Sequence, residues 1–192
     1  MDRPGPTRVT EAEYLARDAA AFEKSEFVNG EIIAMAGVTE AHSILRGNVL
    51  FAFAKRLHGH GPCRAHGSDL RFRIDETGMY AYPDVVVVCG PPEWAPTRPE
   101  RLLNPSVLVE VLSESNADYD RGAKLNHYRL RPSVKAILLI DSRTRRVDAR
   151  TRLSPTEWHV EAVTEGEVNV AGVDLRIPMD ELYDGWTAAP LP

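Results

Sequence analysis

Two carboxylates interrupt runs of residues that otherwise have no reason to meet water. Asp84 opens 84-DVVVVC-89 and Glu110 lies within 106-SVLVEVLS-113. Both runs are β-branched or large aliphatic, as a strand buried on both faces requires. A charge removed from water is costly unless paired, so each acid needs a cation, a metal or a proton. If the strands pair antiparallel across residues 90–105 with Cys89 opposite Ser106, Asp84 falls opposite Val111, beside Glu110. Carboxylates that close repel, which calls for a divalent cation or a shared proton. Hard oxygen donors favour Mg²⁺ or Mn²⁺ over zinc. Further on, 119-YDRGAKLNHY-128 sets Lys124 two turns into a helix, ~9 Å along its axis, from where its stem could carry the ammonium over both acids. The competing reading is a surface ion pair with Asp120 at i, i+4.

The elements that must position these groups are legible in outline. Thr10 and Glu13 have capping-box spacing before a short helix to about Phe22. FVNGEIIAMAG predicts a strand pair hinged at Asn29-Gly30. Thr39 opens a longer helix to about His58, with Ile44, Leu45, Val49, Ala52 and Phe53 on an apolar face, and GHGPC ends it. Strands follow near 63–65 and 69–74, then a DETG turn and the strand of Asp84. Residues 90–105 hold five prolines and read as a loop between core strands. After the Glu110 strand come a helix from about Asp118 to Leu130, stopped by Pro132, the central strand AILLID and a β-rich section over 142–185. This order predicts a mixed α/β fold, one domain over residues 1–192 with its core at about 10–141.

Composition narrows the class. Of the 192 residues, 43% are hydrophobic and 27% charged, the balance of a soluble globular chain. No apolar run reaches the length of a membrane span, so no membrane partner is expected. MDRPGPTRVT lacks the apolar segment of a secretory signal, so export is not expected. Cys63 and Cys89 make no disulfide framework, which agrees with a reducing cytoplasm. The net charge of −5 is unlike that of a protein that coats nucleic acid. Positive charge is local, in RLRPSVK (129–135) and SRTRRVDARTR (142–152), and is read as a solvated hairpin in preference to a phosphate-contacting surface.

Tyr82-Pro83-Asp84 before one apolar strand, and Glu110 in the next, resemble the PD-(D/E)XK restriction-endonuclease-like superfamily. Within it the chain is similar to the bacterial Uma family of restriction endonucleases. SEFVNGEI (25–32), SDLRFR (68–73), YPDVVVVC (82–89), LVEVLS (108–113) and YDRGAKLNHY (119–128) carry the likeness, across residues 10–141. The resemblance implies a restriction-endonuclease-like core, a central mixed β-sheet flanked by helices, with Asp84 and Glu110 as ligands of Mg²⁺ or Mn²⁺. The superfamily's lysine usually stands two residues beyond the second acid, where this chain has Leu112. The family likeness implies that the lysine has moved to the next helix, as Lys124. Glu26 joins the implied catalytic set, with a strand-edge charge as its structural alternative. His42 and Asp69 are further pocket candidates, each with a structural alternative: helix start for His42, loop capping for Asp69.

The implied activity is metal-dependent hydrolysis of phosphodiester bonds in nucleic acid, DNA before RNA. Duplex cleavage needs two sites, so a homodimer is expected. Glu110 would be retained for the metal, with Lys124 as its charge partner otherwise; Lys124→Met should then spare metal binding and lower turnover. The alternative is a nuclease-fold protein that binds nucleic acid or regulates without cleaving it. Two other chemistries find little support. His58, His60, Cys63 and His66 match no common zinc spacing, and no G-x-S-x-G elbow is present.

Overall fold

The computed structural model describes residues 8–35, 37, 39–96, 100–113 and 117–188, without the side chain of Asp118. Residues 1–7, which hold most of the stretch read for a leader, and 97–99 of the proline-rich loop lie outside this set. So does the Asp118 side chain, at the expected start of a helix.

Helix α1 (Glu11–Ala20) begins at the capping box: Thr10 Oγ1 accepts from Glu13 N at 3.2 Å, and Glu13 Oε2 accepts from Thr10 N at 2.7 Å. Strands β1 (Ser25–Val28) and β2 (Glu31–Ala34) form the expected hairpin. Asn29 and Gly30 both take positive φ, 51° and 89°, as a two-residue turn matched to strand twist demands. Thr39 caps α2 (Glu40–Leu57) by accepting from His42 N. Then come β3 (Cys63–Gly67), β4 (Phe72–Ile74), β5 (Met79–Ala81), β6 (Val85–Cys89) and β7 (Val107–Leu112). The single helix expected over 118–130 is instead α3 (Ala117–Tyr119), a π-helical stretch (Asp120–Lys124) and α4 (Leu125–Leu130). Strands β8 (Ala136–Asp141), β9 (Arg146–Arg152), β10 (Trp158–Val163), β11 (Glu167–Val170) and β12 (Leu175–Pro178) precede α5 (Met179–Leu182).

The central sheet is mixed, in the order β10-β9-β8-β7-β6-β3, with β7 and β8 parallel and the other neighbours antiparallel. A parallel pair needs a crossover, and α3 through α4 supply it. One face packs Val85, Val87, Val107 and Val109 against Leu45, Val49 and Phe53 of α2. The other packs Val86, Leu108, Leu112 and Leu139 against Leu125 and Tyr128. Burial on both faces explains why these strands read as unbroken apolar runs. A second sheet, β2-β1-β5-β4, brings β1 near this second face. Its strand β5 has no counterpart among the expected elements, and β4 is shorter than expected. Among the described residues no helix is long and apolar enough to cross a membrane.

Two expectations need correction. The β6–β7 register pairs Val85 with Val109 and Val87 with Val107, so Asp84 falls opposite Glu110, not Val111. Ser106 causes the difference. Its backbone N bonds Val87 O at 2.7 Å, and its hydroxyl accepts from Cys89 N at 3.1 Å, ending the ladder two residues before Cys89. The second correction concerns the cysteines. The β3–β6 register sets Cys63 directly opposite Cys89, and the two form a disulfide. The cysteine count therefore carries no weight for a reducing compartment, and Cys63 is not available as a zinc ligand.

Candidate active site

Opposed residues of an antiparallel pair share a face. Asp84 and Glu110 therefore project together from the face that α3 to α4 cover, one just before β6 and the other near the end of β7. Asp84 is held from two sides. Its Oδ2 accepts from Val111 N at 2.8 Å and lies 3.3 Å from His42 Nε2 at the start of α2. Glu110 is also held through one oxygen: Oε1 takes Tyr128 OH at 2.5 Å and Lys124 Nζ at 2.8 Å. Among the described residues no hydrogen bond is recorded to Asp84 Oδ1 or Glu110 Oε2. Both residues line a cavity of about 530 Å³.

Lys124 organises the remainder. Its ammonium lies 2.7 Å from Glu26 Oε1 and 3.4 Å from Asp120 Oδ1, besides Glu110, and the residue is only 4% exposed. Glu26 reaches the cluster from β1, where its neighbour Phe27 turns the other way to pack on Tyr14 and Tyr80. Its Oε1 also accepts from Tyr82 N at 3.3 Å, tying the second sheet to the site. Lys124 thus meets both partners proposed from sequence, Glu110 and Asp120, and the solvated pair is not what forms.

The electrostatics follow from enclosure. Burial drives the Glu110 carboxyl well above its usual range, and Asp120, Asp84 and Glu26 add to this against the opposing Lys124. Burial likewise raises Asp120. For Lys124 burial works against the charge, yet Glu110, Tyr128, Glu26 and Asp120 together hold its ammonium well above the usual lysine range. Three carboxylates share the Lys124 ammonium, Asp84 pairs with His42 beside them, and Asp120 Oδ2 is buried without a hydrogen bond. Such a pocket attracts positive charge.

The structure brings together Glu26, His42, Asp84, Glu110 and Lys124. It does not bring Asp69 to them: that side chain is 94% exposed and pairs with Lys24. Sequence reasoning passed over Tyr128, although Asp120, Lys124 and Tyr128 recur at i, i+4 and so share one side of a helix. Tyr119, also on the cavity wall with its hydroxyl buried and unpartnered, gave no such signal. Among the described residues no three His, Cys, Asp or Glu side chains converge as metal ligands. Two carboxylates with free oxygens fit a different donor set, that of Mg²⁺, which keeps several waters and binds through one or two carboxylates plus substrate phosphate.

Comparison with known proteins agrees with this architecture. An uncharacterized Synechocystis protein, sll1609, is 37% identical over 150 residues, covering 78% of this chain and 84% of the relative. A second, slr1290, is 30% identical over 179 residues, 93% of each. The crystal structure of "a putative nuclease belonging to DUF820" from Anabaena variabilis shares the fold, with a TM-score of 0.69 at 18% identity over 93% of this chain and 98% of that one. The Uma2 family model, described as "Putative restriction endonuclease", matches residues 12–178, and the chain belongs to that family.

Proposed function

We propose that the protein is a metal-dependent endonuclease that hydrolyses phosphodiester bonds of DNA at the Asp84–Glu110 site. The observation that carries this is the opposed pair itself: two acids on one sheet face, each held through one oxygen, beside the buried ammonium of Lys124. Asp84 and Glu110 would hold Mg²⁺ or Mn²⁺ through Oδ1 and Oε2. A divalent ion there acidifies an attacking water and neutralises charge on the phosphoryl oxygens.

The chain's own residues do the rest. Val111 N and His42 fix the Asp84 carboxylate, and Tyr128 fixes that of Glu110. Lys124 stays protonated at neutral pH, held so by its acidic neighbours against burial. It therefore serves as a fixed positive charge toward the developing phosphorane anion, and not as a proton acceptor. Glu26 and Asp120 keep that ammonium in place.

The alternative of a nuclease-fold binding or regulatory protein is favoured by one observation: Lys124 already sits on Glu110 and answers part of its charge. Supercoiled plasmid separates the two. Nicking in Mg²⁺ or Mn²⁺ that is absent in EDTA and in Asp84→Ala is the expected result. Binding without nicking under every metal condition would favour the alternative.

The enzyme acts as a single domain over residues 1–192 and as a two-fold dimer that presents two sites to a duplex. Light scattering at tens of micromolar is expected to give twice the chain mass of 21.3 kDa, and a monomeric mass would count against the dimer.

A further inference from the structure

The arginine-rich hairpin and the helix packed beside it each hold one guanidinium group, Arg150 and Arg129, with no ion pair among the described residues. Arg146, Asp148, Arg150 and Arg152 alternate along β9 and so share one face of the sheet. The β9–β10 register puts Trp158 opposite Arg152 and the exposed Val160 opposite Arg150. From α4, Arg129 reaches over the same ring, 5.7 Å from its centroid, while Arg152 stacks at 4.4 Å.

These arginines are not equivalent. Arg152 is consumed by structure: it donates to the carbonyls of Val134, Arg129, Arg131 and Pro155 at 2.7–3.1 Å. The two acids nearby are also taken, Asp148 by Arg146 and Asp141 by Arg121, each at 2.8 Å. Arg129 and Arg150 are left. Among the described residues neither has a recorded ion pair, and the Nε of each is buried without a hydrogen bond. Burial lowers the Arg150 pKa, and the charges of Arg129 and Arg121 lower it further, against Asp148. Two half-buried arginines whose terminal nitrogens have no recorded hydrogen bond among the described residues, beside an aromatic ring between strands and helix, match the pattern by which proteins hold phosphate backbones.

We propose that Arg129 and Arg150, beside Trp158, form a phosphate-binding surface for the nucleic-acid backbone, separate from the acidic pocket. Lys124 and Tyr128 face Glu110 on β7, whereas Arg129 faces β10, three strands away in the sheet order. Three strand spacings are ~14 Å, and Trp158 lies four residues along β10 from the level of Glu110, a further ~13 Å, so the two places are ~19 Å apart, roughly six nucleotides of one strand at ~3.4 Å each. The surface supplies positive charge that the acidic pocket and the net charge of −5 do not. Naming the polyanion as nucleic acid rests on the nuclease reading above.

The test measures binding of a fluorescein-labelled DNA duplex by anisotropy in EDTA, where no cleavage occurs, across a series of salt concentrations. For Arg129→Gln/Arg150→Gln the expected result is about tenfold weaker binding at low salt. The slope of log affinity against log salt should become shallower by about two, close to one for each phosphate no longer neutralised. Arg129→Lys/Arg150→Lys should keep most of the slope, and the single Arg150→Gln, should the double variant not fold, should lose about one. A double Gln variant with unchanged affinity and slope would overturn the proposal. So would a wild type that binds inorganic phosphate through these arginines but not the duplex. Metal-dependent hydrolysis of bis(4-nitrophenyl) phosphate, too small to span both places, should be equal in wild type and double variant. No such hydrolysis in the wild type, with the salt slopes changing as expected, would sink the nuclease reading and leave the phosphate surface standing.

Discussion

Lys124→Met is expected to lose about 3–5 kcal/mol of folding stability at pH 8, the cost of breaking a buried ion pair from one side. Methionine matches much of the lysine stem, so the volume is kept and only the charge goes. From sequence the same change would merely lower turnover. The enclosure of Lys124 by Glu26, Glu110 and Asp120 at 2.7, 2.8 and 3.4 Å is the reason to expect more. Without the ammonium, three buried carboxylates face one another, joined by Asp84.

The loss should depend on pH, and its sign follows from the acids. Glu110 and Asp120 already have folded-state pKa values raised above 4.5 and 3.8 by burial, with Lys124 opposing. Removing Lys124 raises them further. A raised folded pKa gives stability that is present below the unfolded value and lost as pH rises through the folded one. The deficit of Lys124→Met should therefore be largest at pH 8 and shrink as pH falls toward about 4, as the acids take up protons. Urea denaturation at several pH values measures it. Equal stability of variant and wild type at pH 8 would mean that the ammonium is not needed to hold the acids together. Nicking by the folded variant should also fall, by about 10²–10³, the size of a missing charge stabilisation in the transition state.

Glu110→Gln should separate function from fold in the opposite way. Nicking should drop by about 10³ or more, since a neutral amide is a poor ligand for a hard cation. Mn²⁺ affinity, read by the electron paramagnetic resonance of the free ion, should fall with it. Stability at pH 8 should be equal to wild type or higher by as much as about 1–2 kcal/mol, because replacing buried ionic groups is often neutral or stabilising. The amide can still accept from Tyr128 and Lys124, while Lys124 keeps Glu26 and Asp120. In wild type the raised Glu110 pKa removes stability as pH climbs from 4.5 through the folded value, and Glu110→Gln abolishes that decline. The advantage of the variant should vanish below about pH 4.5. A Glu110→Gln protein that unfolds at pH 8 would make Glu110 a structural residue.

Much of the scaffold is written locally, where physics acts over a few residues. The capping box of Thr10 and Glu13, the positive-φ pair Asn29-Gly30 and the cap at Thr39 each depend on near neighbours, and each forms where the sequence puts it. Glu110 and Asp84 stood out because an acid within an apolar run has no cheap state. Lys124 stood out through the family likeness, and Tyr128 could have, through its i, i+4 place in YDRGAKLNHY.

What the tertiary structure alone decided is which groups meet. Register is the clearest case, because side chains alternate and a slip of one residue exchanges the faces of a strand. Cys89 opposite Ser106 would have set Asp84 across from Val111 and sent Glu110 to the other face. The Ser106 hydroxyl, by taking Cys89 N, leaves Val87 paired with Val107 and both acids on one side. The same long-range pairing joins Cys63 to Cys89 across β3 and β6, which cysteine counting did not foresee. It also leaves Asp69 outside, on Lys24. Residue types and local spacing determined that this chain holds acids needing a partner and a lysine able to reach them. The pairing of strands distant in sequence decided which acids share the lysine, since hydrogen bonds between strands obey geometry that no local pattern encodes.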